Sequence, residues 1–240
     1  MSHYIASETE EKKLVLKNFQ NRRNGIFVEV GANDPVNSSQ TWLLEQNGWR
    51  GVLVEPLSAL CEKLRAQRKN SQVFQVACSS PDLEGEAEMH VGTDTGHSTL
   101  EMVKASAGTS FAGTERVKIT TLDKVLQAAG IAQIDFLSID VEGHEIEVMR
   151  GLDFSKYRPA LILIEDGLQD LTRHRFLAAR GYQVVKRTHL NNWYVPRGSD
   201  FPLGTAGERL ELFRKMYLSL PFRKLRRRLR GQHKIATLAA

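Results

Sequence analysis

The sequence predicts an α/β fold of the Rossmann-like kind, with a mostly parallel seven-stranded sheet, helices on both faces and an antiparallel terminal hairpin. Two observations lead to this fold. From Ile26 onward, apolar strand-like runs alternate with stretches of helical periodicity, as a parallel sheet requires. Only residues 188–191 separate the last two runs, a connection too short for a parallel crossover, so these runs must pair antiparallel.

The elements follow one another at spacings that suit connected strands and helices. Strands are predicted near residues 26–30, 51–55, 73–77, 135–139, 160–165, 182–187 and 192–195. Helices are predicted near residues 38–47, 57–69, 121–129, 143–150 and 169–179, after a leading helix at 8–19.

The chain divides into three parts and one insertion. Residues 1–24 are predicted to form a helical extension that packs loosely, residues 25–200 the α/β domain, and residues 201–240 a basic amphipathic tail. The insertion, 79–120, begins and ends with strand-like alternation. Its middle, 92–114, is rich in Gly, Ser and Thr, which favours a mobile loop.

The composition, 41% hydrophobic and 25% charged, is that of a globular protein. The sequence shows neither a leader pattern nor a membrane-length apolar run, so we expect a cytoplasmic protein. The two cysteines lack C-x-x-C spacing and predict neither a disulfide nor a zinc site. Nine Lys or Arg and no acid lie between Arg214 and Lys234, and the remaining 24 basic and 28 acidic residues give a charge of −4. The net charge of +5 therefore belongs to the tail.

The first two predicted strands each carry an acid near their carboxyl end. Glu29 precedes Gly31, Ala32 and Asn33, and Glu55 ends the second strand. In such folds a glycine lets the backbone approach a nucleotide, and an acid about 20 residues later binds the ribose. A single glycine is too few for the pyrophosphate of a dinucleotide. The pattern favours an adenosine-containing, phosphate-free cofactor such as S-adenosylmethionine; ordinary buried strands with loop-capping acids are the alternative.

A second group of ionisable side chains follows the predicted strand at 135–139. Asp140, Glu142 and His144 lie at its carboxyl end, on the same edge of the sheet as the first two acids. An unpaired buried carboxylate costs several kcal/mol, so three ionisable groups together indicate a site. Capping of the following helix by Asp140 or Glu142 is the alternative.

Five motifs make the chain resemble the FkbM-type S-adenosylmethionine-dependent methyltransferases. The resemblance covers about residues 27–195 and agrees with a class I methyltransferase fold, whose sheet ends in an antiparallel hairpin. Pro35 departs from the family pattern, in which a glycine often stands. The motifs are 28–34 (VEVGAND), 48–51 (GWRG) leading to 54–56 (VEP), 121–123 (TLD), 138–145 (SIDVEGHE) and 163–165 (LIE).

The resemblance implies methylation of a hydroxyl, commonly on a sugar or a polyketide-type natural product. It implies that Glu55 holds the ribose hydroxyls and that Asp123 either contacts the cofactor or caps a helix. The hydroxyls of Ser38, Ser39 and Thr41 are expected to cap the next helix. It also implies that the methionine and ribose side of the cofactor is lined by Glu29, Gly31, Ala32 and Asn33.

Methylating a hydroxyl needs a base with a pKa near the working pH, which favours His144 over Asp140 and Glu142 unless a carboxylate is desolvated. The alternative is a structural His144, bonded to Glu142 or Glu165. A competing mechanism uses a divalent cation such as Mg²⁺. Asp140, Glu165 and Asp166 resemble the oxygen ligands of catechol-type O-methyltransferases. His97 is expected to be a solvated loop histidine, and contact with an acceptor on closure of its loop is the alternative. Asn191 and Asn192 can hydrogen-bond a polar acceptor, and turn chemistry explains them as well.

The expected acceptor is a sugar hydroxyl of a glycoconjugate or a lipid-linked oligosaccharide. Residues 206–234 mix cations with apolar residues, which favours peripheral contact with an anionic membrane over nucleic acid; a solvated tail is the other alternative. The alternatives are a natural-product methyltransferase, a nucleic-acid methyltransferase docked by this tail and a non-catalytic cofactor-binding module. A homodimer is compatible with the sequence.

Overall fold

The computed structural model describes residues 2–20, 22–100, 110–167, 170–188, 190–201 and 205–223. The strands are β1 Ile26–Val30, β2 Arg50–Val54, β3 Ser71–Phe74, β4 Ala77–Cys78, β5 Gly85–Gly92, β6 Phe111–Thr120, β7 Phe136–Ile139, β8 Leu161–Glu165, β9 Tyr182–Thr188 and β10 Asn191–Pro196. The helices are α1 Ser2–Asn18, α2 Trp42–Gln46, α3 Ser58–Gln67, α4 Leu122–Ala128, α5 Glu145–Arg150, α6 Thr172–Ala179 and α7 Ala206–Phe213, which continues into a π-helical turn, Arg214–Leu218.

The large sheet has seven strands in the order β3-β2-β1-β7-β8-β10-β9. Neighbours from β3 to β8 are parallel, and β10 is antiparallel to both β8 and β9. The predicted fold class is confirmed, including the terminal hairpin. The third predicted strand is wrong in one respect, because its end leaves the large sheet as β4, where Ala77 pairs with Ile119 of β6.

Helices cover both faces of this sheet because its central strands are apolar on both sides. Val28 and Val30 of β1 belong to the core that α4, α5 and α6 cover, whereas Phe27 belongs to the opposite core with Val15 of α1. Val15 is fully buried, so α1 is packed firmly on the sheet and not loosely as predicted. Among the described residues, no helix combines the length and apolarity needed to cross a bilayer.

The insertion forms a small sheet in the order β4-β6-β5. Its ends pair as predicted, with β5 antiparallel to β6. Strand β6 begins at Phe111, within the predicted loop, and a 3₁₀ turn occupies Thr95–His97. Residues 101–109 of the loop, and residues 224–240 of the tail, lie outside the described residues. The division of the chain after residues 24 and 200 stays a prediction.

Candidate functional site

A cavity of about 230 Å³ opens at the carboxyl edge of the large sheet. Gly31, Glu55, Asp140 and Glu165 line it, and each lies at or just beyond the end of a parallel strand. The carboxyl ends of parallel strands meet at one edge, which is why sequence-distant acids come together here. The cavity is therefore the place where the predicted site residues can act jointly.

The turn after β1 lies directly against the backbone that follows β7. The amides of Gly31 and Ala32 both donate to the Val54 carbonyl, at 3.0 and 3.1 Å. Gly31 has a φ of +84°, and a Cβ at this position would lie 1.8 Å from the Asp140 carbonyl oxygen. Only glycine fits, because any side chain would collide with backbone. The ends of β1 and β7 are thus close enough to contact one ligand.

Glu55, just after β2, presents a buried carboxylate to the cavity. Its Oε2 accepts a hydrogen bond from the Asn33 amide at 2.9 Å, and its Oε1 accepts one from the Leu57 amide at 3.0 Å. Burial raises the pKa of Glu55 to about 7, in opposition to these two amides, which lower it. Each carboxylate oxygen can accept a further hydrogen bond, so the group suits two neighbouring ribose hydroxyls.

Glu29 of β1 lines the cavity, and its carboxylate is held by the loop before α2. Its Oε2 accepts hydrogen bonds from Ser39 Oγ at 2.7 Å and Thr41 Oγ1 at 2.6 Å, and its Oε1 accepts one from the Gln40 amide at 2.5 Å. The predicted helix cap is wrong for Thr41, whose side chain makes no cap hydrogen bond at α2. Glu29 therefore fixes the loop that follows β1, while Ser38 is exposed beside the cavity.

Three carboxylates meet beyond β7 and β8. Oxygens of Asp140, Glu142 and Glu165 lie within 4.8 Å of one another. Asp140 is open to the cavity although protein surrounds it, and this burial, followed by repulsion from Glu165, raises its pKa well above the usual value. Burial, followed by repulsion from Glu165, raises the pKa of Glu142 to about 7. This acidic cluster can therefore hold or accept a proton at neutral pH.

The turn that carries the acidic cluster has an unusual backbone. Glu142 has a φ of +51° and Gly143 a φ of +98°. Such a conformation costs a non-glycine residue about 1 kcal/mol or more and is found at functional sites. His144 follows, 7% exposed, with its Nε2 at 2.9 Å from Ser79 Oγ. This contact ties the turn to the first residue of the insertion.

A family model described as the methyltransferase FkbM domain matches residues 29–184, which is more than half of the chain and includes every strand-end acid of the cavity. The chain belongs to the FkbM methyltransferase family. No match to the chain is found among the curated proteins.

Three solved structures are similar to this chain at low sequence identity. Methyltransferase FkbM from Methylobacillus flagellatus KT is 17% identical with a TM-score of 0.47, over 72% of this chain and 43% of that one. The chain thus spans less than half the length of that relative. O-methyltransferase TomG from Streptomyces achromogenes is 13% identical with a TM-score of 0.44, over 79% and 80%. Precorrin-6y C5,15-methyltransferase from Geobacter metallireducens GS-15 is 16% identical with a TM-score of 0.42, over 78% and 85%.

Some predicted site residues lie away from the cavity. Ala32 is buried in the core, and Asp123 accepts a hydrogen bond from the Asp153 amide at 2.8 Å. Asp123 is not the cap of α4, because Thr121 caps that helix. Of the predicted metal set, Asp140 and Glu165 come together, whereas Asp166 is not in their cluster and accepts a hydrogen bond from Asn192 at 3.0 Å. The side chain of His97 lies outside the described residues.

Other residues that line the cavity were not predicted from the sequence. Asp94 and Thr95 come from the insertion, and Thr95 Oγ1 donates to Asn33 Oδ1 at 2.9 Å. Glu11 comes from α1. None of these positions carries a motif or a periodic signal, so the contacts depend on how the insertion and α1 fold back. The polar 3₁₀ turn at 95–97 is the feature from which contact between the insertion and the cavity could have been predicted.

Proposed function

We propose that this methyltransferase transfers a methyl group from S-adenosylmethionine to a hydroxyl of a saccharide. The observation that carries the proposal is one cavity at the carboxyl edge of the sheet that contains a ribose-type acid, Glu55, and a cluster of three acids, in which Asp140 and Glu142 have raised pKa values. Glu55 suits the ribose of the cofactor. The cluster of acids suits removal of a hydroxyl proton, which methylation of a weakly nucleophilic oxygen requires.

The residues around Glu55 fit the cofactor because they leave hydrogen-bond acceptors facing the cavity. The Glu55 carboxylate would accept hydrogen bonds from the ribose hydroxyls. The turn at Gly31, which has no side chain, would let the cofactor approach the backbone closely. When bound, S-adenosylmethionine supplies an electrophilic methyl group. The acceptor oxygen forms the new C–O bond as the methyl–sulfur bond breaks, leaving a methyl ether and S-adenosylhomocysteine.

We assign the proton-accepting step to Glu142. Its carboxylate takes the proton of the acceptor hydroxyl, and its raised pKa of about 7 leaves part of it ionised at neutral pH. Burial and repulsion from Glu165 favour the protonated form of Asp140. His144, expected as the base, is proposed instead to hold the turn through Ser79. The sequence favours His144 as the base unless a neighbouring carboxylate is desolvated, and Glu142 is such a carboxylate.

No step of this mechanism passes through a metal. The oxygens of the acidic cluster suit a divalent cation by their chemistry, but the predicted ligand Asp166 is engaged with Asn192. We expect methyl transfer to keep its rate after prolonged EDTA treatment and removal of the chelate by gel filtration. Loss of activity that Mg²⁺ restores would assign activation of the hydroxyl to the cation.

The acceptor class is tested by transfer of labelled methyl to fractionated glycans and glycolipids. We expect the label in sugar methyl ethers, which survive mild alkali. Label lost as methanol on alkali treatment would indicate a methyl ester, and label in nucleic acid or in a low-molecular-weight natural product would replace the saccharide as the acceptor.

A second proposal concerns the membrane. Around α7, four apolar side chains are 50–73% exposed: Leu210, Phe213, Leu218 and Phe222. The sequence from 214 to 234 adds nine cations and no acid. Such a segment binds an anionic surface peripherally, with about 1 kcal/mol per basic residue near it.

We expect the full chain to float with vesicles containing phosphatidylglycerol, and far less with neutral phosphatidylcholine vesicles. Substitution is preferable to deletion, because Met216 in this segment is buried. Phe213→Ser with Phe222→Ser should weaken binding about tenfold or more. Leu83→Ser, an exposed leucine in the 3₁₀ turn Pro81–Leu83, should not. Equal flotation of all three proteins would contradict membrane contact through this segment.

A further inference from the structure

The cavity extends well beyond the cofactor residues. Glu55 follows β2, whereas Leu190 and Asn191 lie at the turn into β10, and both ends belong to the same cavity lining. β2 and β10 are separated by β1, β7 and β8 in the sheet. Four strand spacings amount to roughly 19 Å. A cofactor bound at the ends of β1 and β2 therefore leaves the part of the cavity near Asn191 free for the acceptor. We call this part the acceptor end.

The N-terminal helix closes this acceptor end. Glu11 of α1 lines the cavity and is 3% exposed. Its neighbour Lys12 donates from Nζ to the carbonyl of Val36 at 3.1 Å and to that of Asn37. With Val15 buried in the core, these contacts fix α1 both to the sheet and to the loop after β1.

Glu11 joins the two sides of the acceptor end. Its Oε2 accepts a hydrogen bond from Asn191 Nδ2 at 2.7 Å and one from Gln40 Nε2 at 3.1 Å. Its Oε1 accepts from the hydroxyl of Thr188. The carboxylate thus connects the loop before α2 with the β9–β10 turn. We call Glu11, Gln40, Leu190 and Asn191 the acceptor wall.

The charge of the cavity lining is one-sided. Among the described residues that line it, none is Lys or Arg. An anionic group placed there would lose hydration and meet carboxylates, with no Lys or Arg of the described lining to contact it. Hydroxyl groups, by contrast, can donate to these oxygens and to the side-chain amide oxygen of Asn191. The lining includes seven carboxylates: Glu11, Glu29, Glu55, Asp94, Asp140, Glu142 and Glu165.

Resting on the methyl transfer proposed above, we propose that the acceptor wall on α1 and the β9–β10 turn selects a saccharide whose methylated ring carries no carboxylate or phosphate. Glu11 is the specificity-determining residue of this wall. The N-terminal helix is therefore part of the substrate site and not only a structural extension.

The wild-type chain is tested with labelled S-adenosylmethionine and glycan and glycolipid fractions. The methylated products are hydrolysed to monosaccharides and separated by anion exchange. Hydrolysis removes anomeric phosphate, so retention reports the charge of the methylated ring itself. We expect the unretained sugars, which are neutral or cationic, to carry about ten times more label than the retained, anionic sugars. A majority of the label on retained sugars overturns the proposal.

Two substitutions with matched controls test the wall directly. Leu190, 41% exposed, tolerates a lysine without loss of packing, and Leu190→Lys should raise the retained share of the label about fivefold. Leu83→Lys, at a leucine 46% exposed elsewhere, should leave the share unchanged. Glu11→Gln should also raise it, whereas Glu10→Gln, one residue along α1 with a 70% exposed side chain, should not.

Calorimetry with S-adenosylmethionine separates this inference from the proposed function. We expect Leu190→Lys to bind the cofactor with the wild-type affinity while its acceptor preference shifts. Normal cofactor binding with an unchanged preference in both Leu190→Lys and Glu11→Gln overturns the acceptor wall alone. Failure of the wild-type chain to bind the cofactor, or to label any sugar, counts against the proposed function itself.

Discussion

Replacing Glu142 by glutamine is expected to lower the rate of methyl transfer about 100-fold or more, at saturating S-adenosylmethionine. General bases contribute factors of this size, and glutamine keeps the shape of the side chain without accepting a proton. The measurement is single-turnover transfer of labelled methyl. Glu88→Gln, an exposed acid on β5, serves as the control and should retain the wild-type rate.

The pH dependence of the same reaction identifies the base. The pKa of Glu142 is raised to about 7, so the ionised, active form is lost as the pH falls through that value. The wild-type rate should therefore rise about tenfold per pH unit below 7 and level off above it. The rise should be absent in Glu142→Gln. His144→Asn should lose less than Glu142→Gln and keep the rise; a larger loss would restore His144 as the base.

Replacing Glu55 by alanine is expected to weaken binding of S-adenosylmethionine about 100-fold or more. The substitution removes two hydrogen bonds from ribose hydroxyls to a carboxylate, each worth about 1.5–3 kcal/mol. Calorimetric titration measures the effect directly. Glu62→Gln, on the exposed side of α3, is the matched control.

The pH dependence of cofactor binding is expected to reflect the ionisation of Glu55. The pKa of Glu55 is about 7 in the free protein, and ribose hydroxyls favour its ionised form. Affinity should therefore decrease as the pH falls below 7 and stay constant above it. Wild-type affinity in Glu55→Ala would show that the ribose lies elsewhere.

The fold and half of the site could be predicted from sequence because they follow from local patterns. Apolar runs define the strands, and a parallel sheet brings their carboxyl ends to one edge. This reasoning places Gly31, Glu55 and Asp140 at the cavity, where the structure has them. Short connections also fix the antiparallel pairing of β9 with β10.

The remaining site residues depend on backbone geometry that spacing does not encode. Glu165 and Asp166 are adjacent, yet only Glu165 joins the acidic cluster, because successive side chains leave a strand in opposite directions. Glu142 takes the place expected of Asp166 in a turn of positive φ. Glu11 is hydrogen-bonded to Asn191, 180 residues away in the sequence, and no local pattern predicts that contact.

The most direct test of this account is a crystal structure of the chain with S-adenosylhomocysteine. We predict that both ribose hydroxyls lie within about 3 Å of the Glu55 carboxylate and that the sulfur faces the acidic cluster of Asp140, Glu142 and Glu165. A molecule bound outside this cavity, or one whose sulfur faces away from the cluster, would contradict it.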